Sequence, residues 1–465
     1  MADLLIRNGT LITMDEKRRI IENGAVAVTD GKIVAIGKTE EIEKEYKADK
    51  VIDANKNVIM PGLVNTHTHL FQTLGKGLGT DVDLLGWFKA AWAPLVEGMT
   101  DEDYYNAVML GALEAIKSGT TTLLGYEHAL NAHPTAITLV IEALKKSGIR
   151  ALLGIGYQDT GREIGAPEIA LRETDEIIKY LKDSFKRYHN TNEGRLKIWL
   201  APGTVNWCTD ELLQATKDFA EEYKTGITIH MNETRAEYEY SRKHRGVGEI
   251  GYVYQKGLLG ANVLGVHTVW PDDSEIQLMA KYDVKVSHNP LSNMYLASGV
   301  APIPKLLKAG ITVGLATDGA TSNNNNDMFD VIRVTPLLHK VATLDPLALT
   351  AEKTLEMATI DGARAVLLEK EIGSLEVGKK ADIIIVDMRL PNVAPVIYAP
   401  AALVYSAGGE NVLTTIVDGQ ILMENRKVLV MNEKEVIKAA EKSVENILKR
   451  SGSRQKRLPK QLNIL

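Results

Sequence analysis

A single cysteine, Cys208, occurs in 465 residues. That excludes an internal disulfide framework and fits a reducing compartment, so a cytoplasmic protein is expected. No run of about 18 apolar residues exists and the N-terminus lacks an apolar signal core, so no membrane partner is expected. Excess positive charge is also missing. The net charge is -6 and the pI near 6.0, which gives no electrostatic reason to expect nucleic acid. The basic run Arg450 to Lys460 reads as a solvated tail. What remains is an ordinary globular composition, 45% hydrophobic and 25% charged, long enough for one large domain and a smaller one. Abundant Lys, Glu and Ile beside scarce Cys lean toward a heat-adapted source.

Alternation of apolar and polar residues around Asn-Gly and Asp-Gly turns predicts hairpins over 4–13 and 20–36. From Val58 onward, apolar strands alternate with amphipathic helices. Val58 to Val64 reads as the first strand despite its Pro61-Gly62 step. Further strands are expected over 120–125, 150–157, 196–201, 226–231, 262–268, 284–288 and 311–317. Eight such units without a Gly-rich phosphate loop favour a (β/α)₈ TIM-like barrel over a doubly wound sheet. After residue 370 the β texture returns, with strands expected at 381–387, 402–405 and 412–423. The expected organisation is therefore a composite β-sandwich from 1–57 and 370–430. A barrel over 58–369 and a C-terminal helix and tail over 431–465 complete it.

A barrel enzyme builds its site at the C-terminal ends of its strands. Here His67 and His69, two residues apart on a strand, project to one side. The fifth strand ends in His230-Met-Asn-Glu233, the sixth in His267, the seventh in His288 and the eighth in Asp318. A satisfied core histidine explains any one of these; five of the chain's ten histidines in register imply a metal site. His67, His69 and His230 offer three neutral nitrogens and Asp318 an anionic oxygen, leaving one position open for water. Asp318 can also accept that water's proton. Glu233 is placed to shuttle protons to substrate, and His267 to orient the attacking water or polarise the developing oxyanion. His288 is divided evenly between substrate contact and a structural role behind the ligands. Gln72, Lys76, Trp87 and Trp92 lie just beyond the first strand and could face the pocket, although aromatic residues at helical spacing are more often core.

These residues resemble the amidohydrolase superfamily, in its metal-dependent deaminase/chlorohydrolase branch. The motifs are PGLVNTHTHL (61–70), HMNE (230–233), VH (266–267), SHNPLSN (287–293) and ATDGATSNNNN (316–326). The nearest likeness is to the triazine hydrolases, atrazine chlorohydrolase and melamine deaminase. The resemblance implies His67, His69, His230 and Asp318 as ligands of one divalent ion, Zn²⁺ first and Fe²⁺ second. It implies Glu233 as proton shuttle, His267 as the water-orienting residue, and a homo-oligomer, dimer or larger. Asn293 and Ser322 join His288, Gln72 and Trp87 as the substrate-binding set. Two departures bear on substrate. Gly319 and Ser322 match neither residue pair of the triazine enzymes. Ala201 to Trp207 (APGTVNW) replaces Pro-His-Ala-Pro-Tyr-Thr of the adenosine-type members, whose histidine contacts the ribose. The expected activity is deamination of an amino-substituted N-heterocycle (triazine, pyrimidine or purine-like) by a metal-activated hydroxide, with a free heterocycle favoured over a nucleoside. The alternatives are loss of chloride or another leaving group from a triazine-like ring, deamination of an adenosine thioether of the methylthioadenosine or S-adenosylhomocysteine type, and an inactive metal-binding scaffold.

Overall fold

Proline 61 has no N–H to give a sheet ladder, and Gly62 has no side chain, and the chain uses both facts at one step. In this computed structural model, which describes residues 1–452 apart from the side chains of His128 and Ala129, the expected first strand is two strands in two sheets. A Cβ at Gly62 would lie 2.1 Å from the Thr121 side chain, so only glycine lets the chain cross there. The Gly62 N–H instead donates to the Asp382 carbonyl at 2.9 Å.

Strands β1 (Ala2–Ile12), β2 (Ile20–Thr29), β3 (Lys32–Lys38), β4 (Ala48–Asp53) and β5 (Val58–Pro61) precede that step. The barrel follows: β6 (Leu63–Thr68), β7 (Thr120–Glu127), β8 (Arg150–Tyr157), β9 (Leu196–Pro202), β10 (Ile227–Met231), β11 (Val263–His267), β12 (Lys285–His288) and β13 (Val313–Leu315). All eight neighbour one another in chain order and in parallel. The ends of this sheet meet: the Asp318 N–H donates to the His67 carbonyl at 3.0 Å and the Thr66 hydroxyl to the Leu315 carbonyl at 3.0 Å. The result is the TIM-like barrel with intervening helices that the strand count predicts.

The last strands, β14 (Ile383–Val386), β15 (Val412–Val417), β16 (Gln420–Glu424) and β17 (Lys427–Val428), return to the N-terminal sheet. β14 pairs antiparallel with β5, giving one mixed sheet of nine strands from both chain ends. That sheet curls, since Ile33 and Ala381 exchange backbone bonds with Lys379 and Gly31. The curl encloses Ile6, Val26, Val28, Ile59, Ile383 and Ile416. Open edges are thereby covered. The expected strand at 402–405 is part of a helix, Ala399–Tyr405, with Pro400 in its first turn; a short apolar run does not distinguish the two states, and proline at a helix start decides it. A helix at Arg235–Arg245, polar almost throughout, escapes a reading by apolar periodicity. It is set by a Thr234–Glu237 capping box and ended by Gly246 at φ 78°. The C-terminal helix runs Glu433–Arg450. Most of the basic tail, 453–460, lies outside the described residues. No helix among the described residues is long and apolar enough to cross a membrane.

Candidate metal centre and its chamber

Three of the strand-end histidines, His69, His230 and His267, have the ring fixed by a hydrogen bond from Nδ1. The His69 Nδ1–H donates to the Tyr126 carbonyl at 2.6 Å and the His230 Nδ1–H to the Gly203 carbonyl at 2.9 Å. The His267 Nδ1–H donates to Asn293 Oδ1 at 2.8 Å. Such bonds leave Nε2 bare and directed at the site. Burial holds His67 down to about 3 and lowers His230 and His267 as well, so these imidazoles are neutral at pH 7.

The donor atoms converge. His67 Nε2 and His69 Nε2 are 3.1 Å apart, and each is 3.3 Å from Asp318 Oδ1. His67, His230 and His267 form an overlapping group whose ligand atoms lie within 4.8 Å. A tetrahedral ion bonded at about 2.1 Å has ligand–ligand edges of roughly 3.4 Å, so this donor set fits a zinc-like cation. Burial works against ionised Asp318, but its contacts with the His67 and His69 rings keep its carboxylate well below the ordinary range. Its Oδ1 also accepts from the Gly319 N–H at 2.7 Å. His267 and Asp318 hold left-handed backbone at φ 68° and 62°, strain of the kind that concentrates at working sites.

Glu233 lies on the other side of His267, with Oε2 3.5 Å from His267 Nε2, while Asp318 Oδ2 is 3.9 Å from the same nitrogen. Burial, reinforced by the negative charges of Glu237 and Asp318, pushes Glu233 well above the ordinary carboxylate range. The two carboxyls that face the His267 imidazole are thus pushed in opposite directions, Glu233 up and Asp318 down. Glu127, raised by burial to about 7, accepts from the Leu70 and Phe71 N–H groups at 2.7 and 3.3 Å and fixes the turn after His69.

A chamber opens over this cluster, walled by His69, Trp87, Gln158, Thr204, His230, Glu233, His267, Asp318 and Ser322, among others. It shares Leu84, Phe88, Thr204, Trp207, Glu237 and Leu296 with an outer cavity of about 650 Å³. Two expected substrate residues, Trp87 and Ser322, line the inner chamber, and the Ser322 hydroxyl also donates to Asp318 Oδ2 at 3.3 Å. Three others do not line either cavity. Gln72 accepts from the Thr321 hydroxyl and packs where a side chain at 319 would stand. His288 is buried with Nε2 3.0 Å from His339 Nε2, the structural arm of its divided expectation. Asn293 is spent on orienting His267. The sequence reading missed Gln158 and Glu237, although a polar residue directly after a barrel strand was a legible signal for Gln158.

Fold and cluster together define a barrel protein with a His/Asp site that fits a divalent cation. The chain belongs to the amidohydrolase family, which matches residues 58–422. It is 40% identical over 453 residues to a 5′-deoxyadenosine deaminase of Methanosarcina mazei, covering 97% of this chain and 100% of that one. It is 37% identical over 440 residues to a 5-methylthioadenosine/S-adenosylhomocysteine deaminase of Syntrophobacter fumaroxidans, covering 94% and 96%. Among solved structures, a zinc-bound adenosine deaminase from Xanthomonas campestris superposes with TM-score 0.89 at 28% identity, over 96% and 99% of the two chains. Atrazine chlorohydrolase from Arthrobacter aurescens gives TM-score 0.87 at 24% over 95% and 100%. The expected nearness to triazine hydrolases is thus corrected to a likeness of fold. The same comparisons back the adenosine-thioether alternative better than the free heterocycle expected first.

Proposed function

We propose that this protein deaminates the adenine ring of a nucleoside altered at its 5′ position, of the 5′-deoxyadenosine or adenosine-thioether kind. The observation that carries the reading is similarity along nearly the whole chain to deaminases of those nucleosides. The layout of the cavities supports it. The polar cluster lies in the inner chamber, and the outer cavity has room for a sugar and 5′ substituents of different size.

His67, His69, His230 and Asp318 would hold one divalent ion, Zn²⁺ or Fe²⁺, which supplies an acidified water. Asp318, kept ionised, accepts a proton from the attacking water as its oxygen bonds to C6. His267, its Nδ1 fixed by Asn293, presents Nε2 to that oxygen. Glu233 delivers its proton to ring nitrogen N1, then takes the proton of the new C6 hydroxyl and passes it to the amino group. The C6–N bond then breaks, ammonia leaves, and C6 becomes a carbonyl. Self-association belongs to the same reading, since Leu337, Val341, Leu344 and Leu347 are exposed along one helix and its end.

The test is ammonia release from 5′-deoxyadenosine, methylthioadenosine, free adenine and aminotriazines, with metal-replete and chelated protein. Chelator-sensitive release from the nucleosides alone is the expected result; release from free rings alone refutes the proposal. Glu233→Gln keeps shape but cannot shuttle a proton, so turnover should fall by about 10²–10⁴. Bound metal should stay constant, because Glu233 is in neither cation cluster. Undiminished turnover would remove Glu233 from the mechanism.

A further inference from the structure

Gln158 follows β8 at the open end of the barrel. Its backbone carbonyl is held by Asn131 Nδ2 at 3.3 Å and the Arg172 N–H at 3.2 Å. Its side chain is 0% exposed and lines the inner chamber. Neither Nε2 nor Oε1 has a hydrogen-bond partner; among the described residues it is the one side chain with two buried polar atoms unpaired. A buried amide left so costs stability and calls for a reason. Gly203 makes its position available. A Cβ at 203 would lie 2.6 Å from Gln158 Oε1, so the amide takes the space that any side chain there would fill. The Gly203 carbonyl meanwhile holds the His230 ring.

We propose that Gln158 reads the sugar edge of the purine, its Nε2–H donating to N3 and its Oε1 accepting from the 2′-hydroxyl; this rests on the nucleoside reading above. A carboxamide sets one donor beside one acceptor, and an adenine nucleoside offers three edges that match. Two of them pair the 6-amino group with N1 or with N7, and the third pairs N3 with the 2′-hydroxyl. The first two contain the departing amine, which must be free to leave past Glu233 and Asp318. The third faces the way out. Gln158 lines the inner chamber together with Thr204 and Trp207, and those two also wall the outer cavity through which the sugar extends. Gln158 therefore binds substrate and moves no proton.

The experiment compares wild-type protein with Gln158→Leu on 5′-deoxyadenosine and on its 3-deaza, 7-deaza and 2′-deoxy analogues, alongside thermal melting. In the wild type, 3-deaza and 2′-deoxy substrates should each lose about 10- to 100-fold in kcat/KM. Gln158→Leu should lose as much on the parent and be indifferent to both changes. Its melting temperature should equal or exceed the wild type's, because an unpaired polar group has been removed. Gly203→Ala, which keeps the carbonyl that orients His230, should displace the amide and give the same pattern. If the wild type turns over 5′-deoxyadenosine but Gln158→Leu keeps full activity or keeps the 3-deaza penalty, the assignment fails while the function stands. A penalty that moves with 7-deaza instead also overturns it. Wild-type silence on every nucleoside beside turnover of free rings overturns both.

Discussion

Replacing Asp382 with alanine should unhinge the barrel from the composite sheet. Arg150 opens β8 and its guanidinium makes two bonds of 2.9 Å to the Asp382 carboxylate, with the side chains 3% and 2% exposed. Asp382 also accepts from the Asp418 N–H at 2.8 Å. Without that carboxylate, the ion pair left to the buried guanidinium among the described residues is with Asp418 Oδ1 at 3.8 Å. Breaking a buried pair from one side strands a charge and costs about 3–5 kcal/mol, whereas an exposed pair costs about 1 or less. Asp382→Asn, which preserves shape, should cost less than the alanine. The double replacement Arg150→Met with Asp382→Leu should recover most of the loss, because no charge is left unpaired. Urea unfolding of the four proteins compares these losses directly. A loss below about 1 kcal/mol for Asp382→Ala, or a double variant no better than the single one, would refute a buried charge pair as the joint. The consequence reaches the site, since the Asp382 carbonyl anchors Gly62 five residues before His67.

Other outcomes are equally specific. Asp327 caps the helix Met328–Thr343, accepting from the Phe329 and Gly409 N–H groups at 2.8 and 3.0 Å. Burial raises its carboxyl to about 6 from 3.8, with Asp330 and Glu410 adding to the rise. The folded state therefore binds more protons between pH 4 and 6, and this contribution is lost as pH rises through 6, up to about 3 kcal/mol. Asp327→Asn keeps the cap and should flatten stability over that window in urea titrations; an unchanged slope would exclude Asp327 as its source. Gly62→Ala should cost about 3 kcal/mol through its collision with Thr121, partly restored by Thr121→Gly, as read from melting curves. No loss would show that the crossover tolerates a side chain.

What the sequence determined by itself was periodicity and punctuation. Eight apolar strands spaced by helical segments specify a parallel barrel, because each strand must be buried on both faces and each helix on one. His67, His69, His230, Glu233, His267 and Asp318 were legible because strand ends in a barrel have one place to point. The split at Pro61-Gly62 was not legible, since its cause is Thr121, on a neighbouring strand. The helix Arg235–Arg245 has almost no apolar stripe to announce it. Only tertiary structure could turn His288 toward His339, spend Asn293 on His267 and bury Gln72 over Gly319. Whether a polar side chain faces a cavity or a neighbour depends on contacts between strands far apart in sequence. Gln158 shows the same limit in reverse. Its position after a strand was visible, but its unpaired amide, held over a glycine just past the next strand, exists only in the folded chain.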